Sequence, residues 1–331
     1  MPASNRFAIG HQDIVEAAGR LEGFAVRTPL LENALLNERA GGRVLLKPEV
    51  LQRSGSFKFR GAFNRLSQLT PEERRGGVVA WSSGNHAQGV AAAAALLGMP
   101  AVIVMPSDAP ALKIANTRGY GAEVVLYDRW TESREAIAKV IAEERGAAIV
   151  PPYDHPQIMA GQGTVGLEIA AQAQAIGAVP DDVIAPCSGG GLMSGVATAV
   201  RHAFPDTRLW AAEPAGFDDV ARSLAAGERV ENAAGQSSIC DALLTPTPGA
   251  LTFPVMKELL SGSLAVTDAE VKAAMAYAFT VLKLVVEPGG AVGLAALLTG
   301  KLPAAGRTVV VVLSGGNVDP ATFTDALAAG S

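Results

Sequence analysis

Lys58 stands in the stretch SGSFKFRG (residues 54–61), after a Ser-Gly-Ser turn and at what reads as the opening of a helix. A helix N-terminus carries partial positive charge, so Lys58 and Arg60 both sit at the unfavourable end of the dipole. A lysine placed there is destabilising unless it is neutral or covalently engaged. A lysine of lowered pKa is the type that forms Schiff bases with carbonyl compounds. The alternative is an ordinary solvated lysine, and Lys58 alone does not separate the two.

A second polar cluster lies in WSSGNHAQGVAAAA (81–94), where the apolar run VVAW (78–81) gives way to Ser82, Ser83, Gly84, Asn85 and His86 and then to an alanine-rich helix. In α/β proteins ligands bind beyond the carboxyl ends of strands, where helix N-termini offer free N–H groups to anions. Two hydroxyls, an amide and an imidazole suit a carboxylate there, whereas a simple N-cap needs only one such residue.

In DVIAPCSGGGLMSGVATAV (182–200) a strand, a glycine turn and a helix follow one another. Ser188, Gly189, Gly190 and Gly191 can bring backbone N–H groups onto a phosphate because no Cβ blocks the approach. A third strand delivers Ser314 in the sequence LSGGN, which reads equally as a ligand-facing hydroxyl or a plain turn. The motif GQGTVG (161–166) matches a dinucleotide fingerprint in form but follows no strand, and is read as a helix start.

These residues need a scaffold. The chain has 331 residues, 49% hydrophobic and 18% charged, with 36 glycines and 5% aromatics, which suits one large or two linked α/β domains. Apolar runs at 44–47, 78–81, 101–105, 123–127, 182–186, 208–213 and 308–313 alternate with helix-like segments. The runs are apolar on both faces, as in parallel sheets covered by helices. One helix should open at Thr131 or Ser133 and end at Gly146. A small domain is expected over 54–149, and a large one over 1–53 with 150–331. The stretch 227–267, with Pro246, Pro248 and Pro254, reads as irregular.

Net charge is −5 without a long basic run, which argues against nucleic acid. Cys187 and Cys240 fit no metal spacing, and no signal peptide or membrane span stands out, so a reduced, cytoplasmic setting is expected.

Taken together, SGSFKFRGA, SSGNHAQG, AGQGTVGLEI, SGGGLMSG, AAEP, EPGGAVGLAAL and LSGGNVD resemble the fold-type II (tryptophan synthase β-like) pyridoxal-phosphate enzymes. Within that group the chain is similar to threonine/serine dehydratases and serine racemases, over nearly its whole length. The resemblance implies that Lys58 carries pyridoxal 5'-phosphate as a Schiff base and, once freed, acts as base at Cα. It places Phe57 against the cofactor. Ser188, Gly189, Gly190, Gly191 and Leu192 would hold the phosphate, and Asn85 would reach the phenolic oxygen. Ser82, Ser83, Asn85 and His86 would hold the substrate, with Ser83 opposite Lys58 as the second acid/base of racemases. Ser314 would meet the pyridine nitrogen. A serine hydroxyl is neutral and cannot keep that nitrogen protonated as a carboxylate would, which favours prompt loss of a β-leaving group.

The resemblance further implies a Mg²⁺ or Ca²⁺ site in AAEPAGFDD, with Glu213, Asp219 and the Phe217 carbonyl as oxygen ligands, and a homodimer. Two departures bear on the substrate. Tyr153-Asp154-His155 stands where dehydratases show Phe-Asp-Asp, and Cys240-Asp241-Ala242 replaces Ala-Asp-Gly. SICDALL with PPYDHP resembles dehydratases of hydroxyectoine utilisation. The expected activity is therefore dehydration and deamination of threonine, serine or a related β-hydroxy amino acid such as 3-hydroxyaspartate. A serine or aspartate racemase is the first alternative. A non-catalytic binding protein or a nicotinamide dehydrogenase stands further off.

Overall fold

A computed structural model of the chain describes residues 6–82 and 84–329. Its strands are β1 (Leu31–Glu32), β2 (Arg43–Pro48), β3 (Val78–Trp81), β4 (Ala101–Pro106), β5 (Glu123–Tyr127), β6 (Ala148–Ile149), β7 (Asp182–Pro186), β8 (Arg208–Pro214), β9 (Gly262–Val266) and β10 (Thr308–Leu313). They form two sheets, one ordered β1-β2-β10-β7-β8-β9 and the other β5-β4-β3-β6. All neighbours are parallel except β1, which runs antiparallel to β2.

The strand residues explain the layering. Successive side chains point to opposite faces of a sheet. In β10, Val309, Val311 and Leu313 enter one hydrophobic core while Val310 and Val312 enter another. In β2 the same split puts Val44 and Leu46 on one side and Leu45 on the other. The four-stranded sheet repeats it, with Val78, Ala80, Ile103 and Met105 opposed to Val79, Val102 and Val104. Strands buried on both faces must read as continuous apolar runs, and these do.

Helices cover the faces. The helix expected near residue 131 runs Arg134–Arg145, with the Ser133 side chain accepting from the Ala136 N–H and Gly146 closing it at φ 63°. Two expectations change. GQGTVG does not start a helix; it lies in the middle of Pro156–Ala175. Its glycines are contact points, since a Cβ on Gly161 would lie 2.5 Å from the Arg60 carbonyl and one on Gly163 3.0 Å from Gly195 Cα. The segment 227–267 is also more regular than expected. It contains a helix, Thr252–Leu259, and the edge strand β9. Pro254 is the third residue of that helix, where its missing N–H would have found no intrahelical partner.

Among the described residues no helix is long and apolar enough to cross a membrane.

Candidate active site

The carboxyl ends of β3, β7 and β10 deliver the expected residues. Beyond β10, Gly315 bridges antiparallel to Ser56, and the Phe57 N–H donates to the Ser314 carbonyl at 3.1 Å. The main chain just before Lys58 is thereby fixed to the end of β10. Lys58 is the first residue of the helix Lys58–Leu66, whose Phe59, Ala62, Phe63 and Leu66 enter the core of the four-stranded sheet.

The Lys58 Nζ donates to the Pro152 carbonyl at 2.8 Å and lies 5.2 Å from the Phe57 ring centroid. Burial lowers its pKa to about 8, against a smaller opposing pull from Glu287. Arg60, two residues on, is neutralised differently. Its guanidinium meets Glu49 at 2.7 Å and Glu168 at 2.6 Å, and Lys47 joins Glu168 at 2.6 Å. Of the two cations at this helix start, one is buried in ion pairs and the other has its pKa lowered by burial.

On the β3 side, the Ser82 Oγ accepts from the Gly84 N–H at 3.1 Å. Ser83 lies outside the described residues. Asn85 opens the helix Asn85–Leu96 and is buried, its Nδ2 donating to Glu287 Oε1 and its Oδ1 accepting from Asn317 Nδ2 at 2.8 Å. His86 Nε2 lies 2.9 Å from the Val150 carbonyl, which can only accept, so that nitrogen carries the proton. Burial, and then repulsion from Lys58, lower its pKa to about 3. His86 is therefore neutral and offers a carboxylate no positive charge.

On the β7 side the glycine loop has no room for side chains. A Cβ at Gly189 would collide with the Tyr153 ring, one at Gly190 with Met256 Cε, and one at Gly191 with Gln162 Oε1. Gly190 has φ 93°, which favours glycine by itself. Gly191 and Leu192 begin the helix Gly191–Ala203, whose first-turn amides have no intrahelical partners. Ser188 Oγ is hydrogen-bonded to Thr245 Oγ1. This is a helix N-terminus suited to a phosphate.

A family model described as "Pyridoxal-phosphate dependent enzyme" matches residues 21–315. The chain belongs to this family of pyridoxal-phosphate dependent enzymes. It is 47% identical over 309 residues to an L-threo-3-hydroxyaspartate ammonia-lyase of a Pseudomonas species, covering 93% of this chain and 95% of that one. It is 40% identical to a serine racemase of Schizosaccharomyces pombe, covering 93% and 94%. Among solved structures, a maize serine racemase superposes with a TM-score of 0.90 at 39% identity, covering 97% of this chain and 98% of that one.

The residues of this pyridoxal-phosphate dependent enzyme fit the cofactor. The crowded glycine loop, the lysine of lowered pKa and the unpartnered buried atoms Ser56 Oγ, Gln162 Oε1 and Glu287 Oε2 surround one region. The fit of a cation is narrower. Glu213 already accepts from the Val220 N–H (2.8 Å), the Ala221 N–H (3.0 Å) and Ser263 Oγ. Asp219 Oδ1 accepts from Asn232 Nδ2 at 2.7 Å, and Oδ2 is buried without a partner. Phe217 is buried in the connecting turn. Among the described residues no group of three or more His, Cys, Asp or Glu is placed to hold a metal.

Three further residues at the site are not evident from the sequence. Glu287 is 1% exposed, and burial followed by repulsion from Asp241 raises its pKa to about 7. Lys113 forms an ion pair with Asp241 and lies alongside Gly84. Asn317 joins Asn85 to the Ser54 carbonyl. Only EPGGAVG, an acid before a glycine-rich helix start, hints at the first. In the first of the two departures, Asp154 accepts from the Ala250, Leu251 and Thr252 N–H groups and so caps a helix, while His155 caps Pro156–Ala175 through Nδ1.

Proposed function

We propose that this enzyme is an ammonia-lyase that converts a β-hydroxy amino acid of the 3-hydroxyaspartate, threonine or serine class to a 2-oxo acid and ammonia. The observation that carries this reading is Lys58, partly buried, with a pKa near 8 and a carbonyl as hydrogen-bond partner, at a strand edge shared with the glycine loop. The relatives supply the substrate class, since the names they carry include hydroxyaspartate and threonine ammonia-lyases.

Pyridoxal phosphate, when bound through Lys58, supplies electron withdrawal from the substrate Cα. The protein's part follows from its own residues. With its pKa lowered by burial to about 8, Lys58 has an unprotonated fraction near neutral pH far larger than that of an exposed lysine, and in that form it can take the Cα proton. The Pro152 carbonyl steadies the amine as an acceptor. The Ser82–Asn85 turn and the helix N-terminus behind it hold the substrate carboxylate. Ser314, uncharged, would meet the ring nitrogen. Net loss of the Cα proton and the β-hydroxyl as water would convert the amino acid to an enamine, which tautomerises to an imine, and water then releases the 2-oxo acid and ammonia.

A second reading, racemisation, is supported by the serine racemase relatives and would use Ser83 as the opposing acid/base. A cation held by Glu213, Asp219 and the Phe217 carbonyl is supported by the unpartnered Asp219 Oδ2. A homodimer and a division into a small domain (54–149) and a large one are part of the same reading. So is a cytoplasmic setting, with which the two free buried cysteines agree.

The test is to add L-threo-3-hydroxyaspartate, L-threonine and L-serine separately to purified holoenzyme while following its visible absorption, 2-oxo acid and D-amino acid. Oxo acid from one substrate with a spectral change supports the lyase and names its substrate. D-amino acid as the main product favours the racemase. No visible band after pyridoxal phosphate is added would overturn both.

A further inference from the structure

Glu287 precedes the helix Pro288–Leu298, at the N-cap position, where Ser, Thr, Asp or Asn usually supplies a side-chain cap. It makes no such cap. Its side chain instead turns inward, 1% exposed, with Oε1 accepting from Asn85 Nδ2 and Oε2 buried without a partner.

The opposite side of Asn85 is fixed as well. Asn317 Nδ2 donates to the Ser54 carbonyl at 2.7 Å and to Asn85 Oδ1 at 2.8 Å. A main-chain carbonyl can only accept, so the Asn317 amide has one admissible orientation. That orientation places an N–H at Asn85 Oδ1 and leaves Asn85 Nδ2 facing Glu287. An amide nitrogen carries two N–H bonds. Glu287 takes one, and the other is the donor that Asn85 can offer to a ligand.

We infer that Glu287 is a positioning residue that locks the Asn85 side chain so that it presents N–H rather than C=O to the phenolic oxygen of the cofactor. This rests on the reading of Asn85 as a cofactor-facing residue. A flipped amide would set its carbonyl against an electron-rich oxygen and lose two hydrogen bonds at once. The lock also tolerates the charges around it. Asp241, Lys113 and Lys58 all act on the Glu287 carboxyl, which burial and Asp241 push up to about 7. A proton on Oε2 leaves Oε1 able to accept, so Asn85 is held in either protonation state.

The experiment titrates cofactor-free protein with pyridoxal phosphate and reads the visible band, the dissociation constant and the melting temperature. Glu287→Gln keeps an acceptor oxygen and should stay within about threefold of the parent in affinity, with the parent's band. Glu287→Met, similar in volume but without an acceptor, should bind about tenfold or more weakly with a displaced band. A folded Glu287→Met protein with the parent's band and affinity overturns the inference. Should Glu287→Met not fold, Asn317→Leu removes the other half of the lock and should displace the band likewise; an unchanged band in that variant overturns it equally. If the parent itself takes up no cofactor, the reading of the whole site falls, which is a distinct result.

Discussion

The Phe57 N–H donates to the Ser314 carbonyl at 3.1 Å, so the residue before the lysine and the residue expected at the ring nitrogen are joined by one main-chain bond. Because the carbonyl makes this link, the Ser314 side chain can be changed without cutting it. Ser314→Ala should retain the melting temperature of the parent within a few degrees and still take up cofactor. Its turnover should fall by about 10- to 100-fold, the worth of one buried hydrogen bond in a site. Steady-state kinetics beside a thermal melt check this. A melt lowered as much as the rate would assign Ser314 to structure.

Lys58 should be indispensable in a different way. Lys58→Ala removes both the attachment point and the base, and general-base loss alone is worth about 10²–10⁴ in rate. Turnover should drop below detection, and the visible band should not form on adding pyridoxal phosphate. The partly buried amine also makes a prediction in the cofactor-free parent. With a pKa lowered by burial to about 8, its reaction with an amine-selective reagent should rise through that pH, well below the range of exposed lysines. Peptide mapping of the labelled protein reads this directly.

Gly190 tests the loop. It has φ 93°, and a Cβ there would strike Met256. Gly190→Ala combines backbone strain with a clash, so a loss of about 1–3 kcal/mol in stability is expected, together with weaker cofactor binding. Denaturant unfolding and cofactor titration measure the two effects separately. A variant as stable as the parent would mean that the loop can be rebuilt without its left-handed residue.

Asp154 lies in a segment where the chain departs from its family pattern, yet its carboxylate accepts from three N–H groups at the start of Thr252–Leu259. Asp154→Ala should cost about 0.5–2 kcal/mol, as loss of an N-cap does. The ratio of kcat/KM between hydroxyaspartate and threonine should barely move. A large change in that ratio would return Asp154 to the substrate's surroundings.

The strands are legible in the sequence because a sheet covered on both faces imposes one simple pattern, and the runs at 78–81, 123–127, 182–186 and 308–313 match the observed strands residue for residue. β9 carries no such pattern, since its residues are mostly half-buried and begin with glycine. The ligand loops are legible because each follows a strand directly. What stays hidden depends on partners far apart in sequence. Nothing near Glu287 announces Asn85, and nothing near Lys113 announces Asp241. The glycines of GQGTVG signal a close approach, but their partners, Arg60, Gly195 and Val196, lie on other helices. A helix crossing therefore reads, in sequence, like a helix start.

His86 supplies a pH test whose sign can be worked out. Burial and Lys58 lower its folded pKa from 6.5 to about 3, so between those values the unfolded chain binds a proton that the folded one refuses. Where the unfolded state binds more protons, stability rises with pH. The contribution of His86 is therefore fully present above 6.5 and is lost progressively as the pH falls toward 3. In cofactor-free protein, replacing His86 by Asn removes this titration and should flatten the stability curve by about one proton over that window. Unfolding midpoints measured in denaturant at several pH values give the slope. Equal slopes for parent and variant would mean that His86 is charged in the folded protein, and the carboxylate-binding role expected for it would then gain a positive charge after all.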